Sequence, residues 1–203
     1  MQGLLRQFWL DLLVSKHYMI AATLVFALGW VLGATDSDMA GFLQGSMEGM
    51  GGIADKIRES NHPQLYFFLF IFLNNAIKSI LFIYMGAFLG VMPLAVLVTN
   101  GMMLGYVLQM DPERSAWLLF FKGILPHGIL ELPAVILACA YGLRFGGTLL
   151  KSFFMLFSTE KRGKAGPEIT HFLMMTLPLM VIITVVLLVA AIIESTLTYQ
   201  LMH

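Results

Sequence analysis

The chain has 203 residues with twelve basic and twelve acidic side chains, so no net charge points to nucleic acid. Hydrophobic residues make up 59% and charged residues only 12%, against roughly 25% in soluble domains. With a mean hydropathy of +0.83, this is the composition of an all-α polytopic membrane helix bundle in contact with membrane lipids. Its one cysteine, Cys139, excludes an intrachain disulfide.

In chain order, residues 1–16 place Leu4, Leu5, Phe8, Trp9, Leu12 and Leu13 at helical spacing, with Arg6, Gln7 and Asp11 between them. That pattern describes an amphipathic helix lying in the membrane interface or packed on the spans. The first span, residues 17–34, carries Gly29 and Gly33; its helical leader argues for a retained span rather than a signal peptide. An outer loop at 35–63 holds Asp36, Asp38, Glu48, Asp55 and Glu59, yet Met39, Phe42, Leu43, Met47, Met50, Ile53 and Ile57 keep a period near 3.6. An amphipathic surface helix is expected there, weakened by Gly41, Gly45, Gly49, Gly51 and Gly52.

The apolar stretch that follows is too long for one span at about 1.5 Å per residue and divides into spans at 65–84 and 86–108. Pro93 should kink the second of these. A fourth span at 115–143 is longer than a bilayer requires, and Pro126 and Pro133 should kink or break it. A basic loop at 144–168 follows, with Arg144, Lys151, Lys161, Arg162 and Lys164, then a fifth span at 169–194. Lysine and arginine placement puts the N-terminus and the 144–168 loop inside and the C-terminus outside. The pairs Gly29/Gly33, Gly86/Gly90 and Gly101/Gly105 offer more close-packing faces than five spans need, so a homodimer is expected.

Candidate functional residues stand out because they are polar at membrane depth: Asn74, Asn75, Lys78, Asn100, His127 and Glu131. His127 and Glu131 share a helical face at i, i+4. They are a chemically reasonable ligand pair for a divalent metal such as zinc, but two ligands are too few, and the zincin pattern needs a second histidine. A structural polar network and a proton or ion relay stay open beside the metal site.

The order of these residues carries a resemblance. Asn74-Asn75, then Gly86 and Gly90 before Pro93, then Asn100-Gly101 with Gly105, then Pro126-His127-Gly128-Ile129-Leu130-Glu131-Leu132-Pro133-Ala134 resembles the stage II sporulation protein M family. The likeness spans residues 65–147, and the Pro-His-Gly-x-x-Glu core is its most specific part. It implies a bacterial inner-membrane protein with five spans. In endospore formers it implies a complex with two membrane-anchored peptidoglycan hydrolases that drives engulfment; relatives also occur in bacteria and archaea that do not sporulate. The family's shared intramembrane residues map onto Asn74, Asn100, His127 and Glu131, without a chemistry attached. Two functions follow as expectations. One is a non-enzymatic scaffold that localises wall hydrolases, with 35–63 as its docking surface. The other is an intramembrane metal-dependent enzyme or ion/proton transport element built on His127 and Glu131.

Overall fold

Uninterrupted apolar sequence favours helices whose backbone groups bond within the segment, and every regular element among the described residues is helical. The computed structural model describes the backbone of residues 2–35, 40–109 and 125–201, with side chains at 6–35, 51–107, 131–196 and a few positions beyond. The helices are α1 (Gln2–Val14), α2 (Lys16–Thr35), α3 (Ala40–Arg58), α4 (Pro63–Met85), α5 (Val91–Gln109), α6 (Leu125–Leu156) and α7 (Ala165–Leu201); a 3-10 turn, Arg162–Lys164, precedes α7. Helices α2, α4, α6 and α7 are long and apolar enough to cross a membrane, and α5 contains a shorter apolar helix, Val91–Val107. Their outward faces stay apolar: Ile20, Leu24, Leu28 and Val31 form one exposed stripe on α2. A continuous apolar stripe of that length suits lipid, not water.

The chain turns between α4 and α5 at residues 86–90, where Leu89 and Gly90 take φ values of 56° and 77°. Glycine reaches this left-handed region without steric penalty. The segment 35–63 contains the expected helix, α3, despite its glycines.

Helix α6 is central. It shares one apolar core with α4 and α7, where Ala138, Tyr141 and Phe145 meet Ile83, Phe172 and Leu179. It shares a second core with α2 and α5, where Cys139 and Ala140 meet Ala22, Phe26 and Leu97. Small residues on α6 let neighbours approach from both sides. Within its apolar window 44% of residues are buried, against 22% for α2, which explains how a helix this polar stays in the bundle.

The glycine pairs act inside the chain. A Cβ on Gly29 or Gly33 would collide with the backbone of Val98 or Met102, and one on Gly101 or Gly105 with the backbone of Phe26 or Trp30. Helices α2 and α5 therefore close through two interlocked small-xxx-small motifs. Gly86 meets Gly142 on α6, and Gly146 meets Gly86 and Gly90. The observation behind the expected homodimer is thus used up by contacts within one chain.

Span four also differs from its expected course. Among the described residues the helix runs from Leu125, and Pro126 stands at that limit. Helix continues without a break through Pro133 to Leu156. Residues 144–156, expected as the start of a basic loop, are its last turns. The connection to the 3-10 turn is only 157–161. The reason lies in Arg144, whose charge is neutralised inside the bundle, as described next.

Candidate functional site: two polar clusters in the bundle

The first cluster joins α4, α6 and α7. Asn75, on α4, donates from Nδ2 to Oε1 of Glu131 on α6 at 2.7 Å. Asn74 Nδ2 approaches Asn75 Oδ1 at 3.4 Å. The Glu131 carboxyl also hydrogen-bonds the Glu194 carboxyl, on the last turns of α7. Two carboxylates have only acceptors to offer each other, so this contact needs a proton on one of them. One turn beyond Asn75, the fully buried Ser79 hydroxyl has no hydrogen-bond partner among the described residues. Its usual outlet, the carbonyl four residues back, is not used.

The other expected members behave differently. Asn100 is exposed and donates from Nδ2 to its own helix, at the Val96 carbonyl, at 2.8 Å. Lys78 is exposed on α4, beside the groove facing α3. His127 lies in the first turn of α6, and its side chain is outside the described residues, as is the metal pairing expected of it. Among the described residues no group of three or more His, Cys, Asp or Glu side chains converges as a metal-ligand set would. Glu194 was legible only as the charge that ends span five; which helix it faces depends on how α6 and α7 pack.

The second cluster was not anticipated. Asp11 on α1 is buried, and Arg144 on α6 meets it in a two-pronged ion pair, with Nη1 at 2.5 Å from Oδ2 and Nη2 at 2.6 Å from Oδ1. Tyr141 donates its hydroxyl to the same Oδ2 at 3.0 Å, and Arg144 also donates to Ser15 Oγ at 2.8 Å. His171 Nε2 stands 3.7 Å from Asp11 Oδ1. The guanidinium lies over Tyr141 and Phe172, each centroid 5.6 Å away. Parallel hydrogen bonds to a carboxylate are the strongest arrangement arginine makes. Helix α1 is consequently latched onto α6 and α7 by the side that carries Asp11: Phe8 and Asp11, with Ser15 just after the helix, are buried, while Trp9, Leu10, Leu13 and Val14 are exposed. Of the two placements its sequence pattern left open, these contacts are those of a helix packed on the spans. Only a carboxylate among six apolar residues, and an arginine three residues after a tyrosine, hinted at the pair.

Apolar helices of spanning length around buried polar clusters define a multi-pass membrane protein. The chain belongs to the family of stage II sporulation protein M, whose family model matches residues 18–199. It is also similar to an uncharacterized protein of Methanocaldococcus jannaschii, at 30% identity over 141 residues. That match covers 70% of this chain and spans 60% of the relative's length. No solved structure matches the chain significantly.

Proposed function

We propose that this protein is a non-enzymatic membrane scaffold that holds membrane-anchored peptidoglycan hydrolases, as its family's part in sporulation suggests. The observation that carries this reading is the exposed small-residue face of α3. Gly45, Gly49 and Gly52 recur at i, i+4 and i+7, and a Cβ on any of them would meet nothing within 4 Å. Every glycine pair in the spans is filled by a neighbouring helix, whereas this row is open. Small residues let another helix come close enough for backbone contact. The reading places the protein in a bacterial inner membrane with its N-terminus inside and α3 outside. Cysteines introduced at Ser46 and Ser158 test that topology; labelling of Ser158→Cys from outside intact cells contradicts it. A photo-crosslinker at Lys56, on the same face of α3 and exposed, in cells that carry the hydrolases, should join α3 to them, and Gly45→Leu with Gly49→Leu should abolish the product. Crosslinks that form only to lipid would overturn the scaffold.

A second reading has its own observation. The Asn75–Glu131–Glu194 cluster brings carboxyls from two spans together, beside the buried Ser79 hydroxyl. Ionisable groups in such positions mark proton or ion pathways in other membrane proteins. Under this reading liposomes containing the protein dissipate a pH gradient, and Glu131→Gln stops the leak. Equal leak from protein-containing and empty liposomes removes it.

A further inference from the structure

At the end of the bundle where α1 is latched, a cavity of about 570 Å³ opens between α2, α6, the 3-10 turn and α7. Four separate elements supply its polar lining: His17 from α2, Arg144, Thr148 and Lys151 from α6, Lys164 from the 3-10 turn, and His171 from α7. Against three lysine or arginine side chains, the described lining holds one carboxylate, Glu168, which Lys151 meets at 2.8 Å. Arg144 is balanced from behind by Asp11. Lys164 is exposed and has no carboxylate within ion-pair distance among the described residues. Gly147 keeps the wall low: a Cβ there would stand 2.9 Å from the Tyr18 hydroxyl.

We infer that this cavity binds a phosphate group, carried by an anionic lipid at the bilayer surface or by a soluble phosphate compound. Three observations converge on that chemistry. The donors converge from both sides of the connection between α6 and α7, residues 144–171, and His17 joins them from the start of α2. They are mixed in type, with ammonium, imidazole and hydroxyl groups suited to the several acceptor oxygens of one phosphate. The cavity also lies where α2 and α7 begin, at the level expected for headgroups, and its rim includes Val14, which is 61% exposed beside the polar lining. Basic pockets between spans at this depth suit anionic headgroups, with an acyl chain lying along the apolar rim. Glu168 sets the threshold, because an arriving phosphate takes Lys151 from it. The inference is independent of the scaffold reading, since it concerns the opposite end of the spans from α3.

The test uses the full chain in mild detergent and native mass spectrometry with phosphatidylglycerol, phosphatidylcholine or inorganic phosphate added. The expected result is retention of phosphatidylglycerol over phosphatidylcholine, weakened about tenfold or more in Lys151→Gln with Lys164→Gln, as loss of two surface cations predicts. Both lysines are exposed, and an unchanged melting temperature verifies that the variant folds. Glu168→Gln should tighten retention. Displacement of the lipid by millimolar inorganic phosphate, or binding of phosphate without lipid preference, assigns the pocket to a soluble phosphate compound. Equal retention of both lipids with no phosphate binding, or retention indifferent to the lysine substitutions, overturns the proposal.

Discussion

The two polar clusters share helix α6, with Glu131 and Arg144 about 20 Å apart along it at 1.5 Å per residue, yet they solve the problem of burying charge in opposite ways. At Arg144 the partners have opposite sign, and two parallel hydrogen bonds, a tyrosine and a serine complete them. Such a pair stays charged and locks one geometry. At Glu131 the partners are an amide and a second carboxyl, so a shared proton and not a counter-ion joins them. A proton can leave; an arginine cannot. The Arg144 cluster is therefore built to hold α1, and the Glu131 cluster joins its helices without a counter-ion.

The sharpest way to break this contrast is at the ion pair. Arg144→Met leaves Asp11 buried without its counter-ion and should cost about 3–5 kcal/mol, read as a lower midpoint of thermal unfolding in detergent. Asp11→Leu combined with Arg144→Met should cost less than Arg144→Met alone, because no orphaned charge remains. Equal losses would mean that the pair does not latch α1. Limited proteolysis separates the two ways the single variant can fail: cleavage beside Ser15 marks release of α1, and cleavage throughout marks loss of the bundle.

A smaller effect is expected at Asn75. Replacing it with Leu strands one Glu131 oxygen and should cost about 1–3 kcal/mol, checked by the same melting curve. Tyr141→Phe removes one bond to an already paired Asp11 and should cost about 1 kcal/mol. The smallest change sharpens the comparison most. Glu194→Gln keeps the shape of a protonated carboxyl and should shift stability by no more than about 0.5 kcal/mol, whereas Asp11→Asn, chemically the same exchange, removes a required charge and should cost several times more. Comparable losses in the two variants would show that both clusters are ionised alike.

These outcomes turn on residues of uneven legibility. Glu131 was conspicuous because a carboxylate in an apolar run is costly wherever it lies. Its partner Asn75 was visible for the same reason, but Asn100, equally polar and equally deep in sequence, satisfies itself on its own helix. Hydropathy records the need for a partner and not who supplies it. Asp11 and Arg144 escaped notice because each sits near a sequence boundary where charge is ordinary. Only their meeting, across more than half the chain, makes them part of the bundle's interior.

Composition and periodicity determined by themselves that the chain is helical, membrane-embedded and divided after the span at 65–84, because backbone hydrogen bonding in lipid leaves few alternatives; the turn itself takes up 86–90, which the apolar pattern assigns to the next span. They also marked the glycines as sites of close approach. Tertiary structure decided where those approaches were used, pairing Gly29 and Gly33 with α5 and Gly86 with Gly142, because a small residue admits any helix and selects none. It decided too that α1 turns the side with Asp11 inward. A buried carboxylate is costly without its partner, whereas the apolar stripe gains little from choosing protein over lipid, since lipid is already as apolar as the bundle.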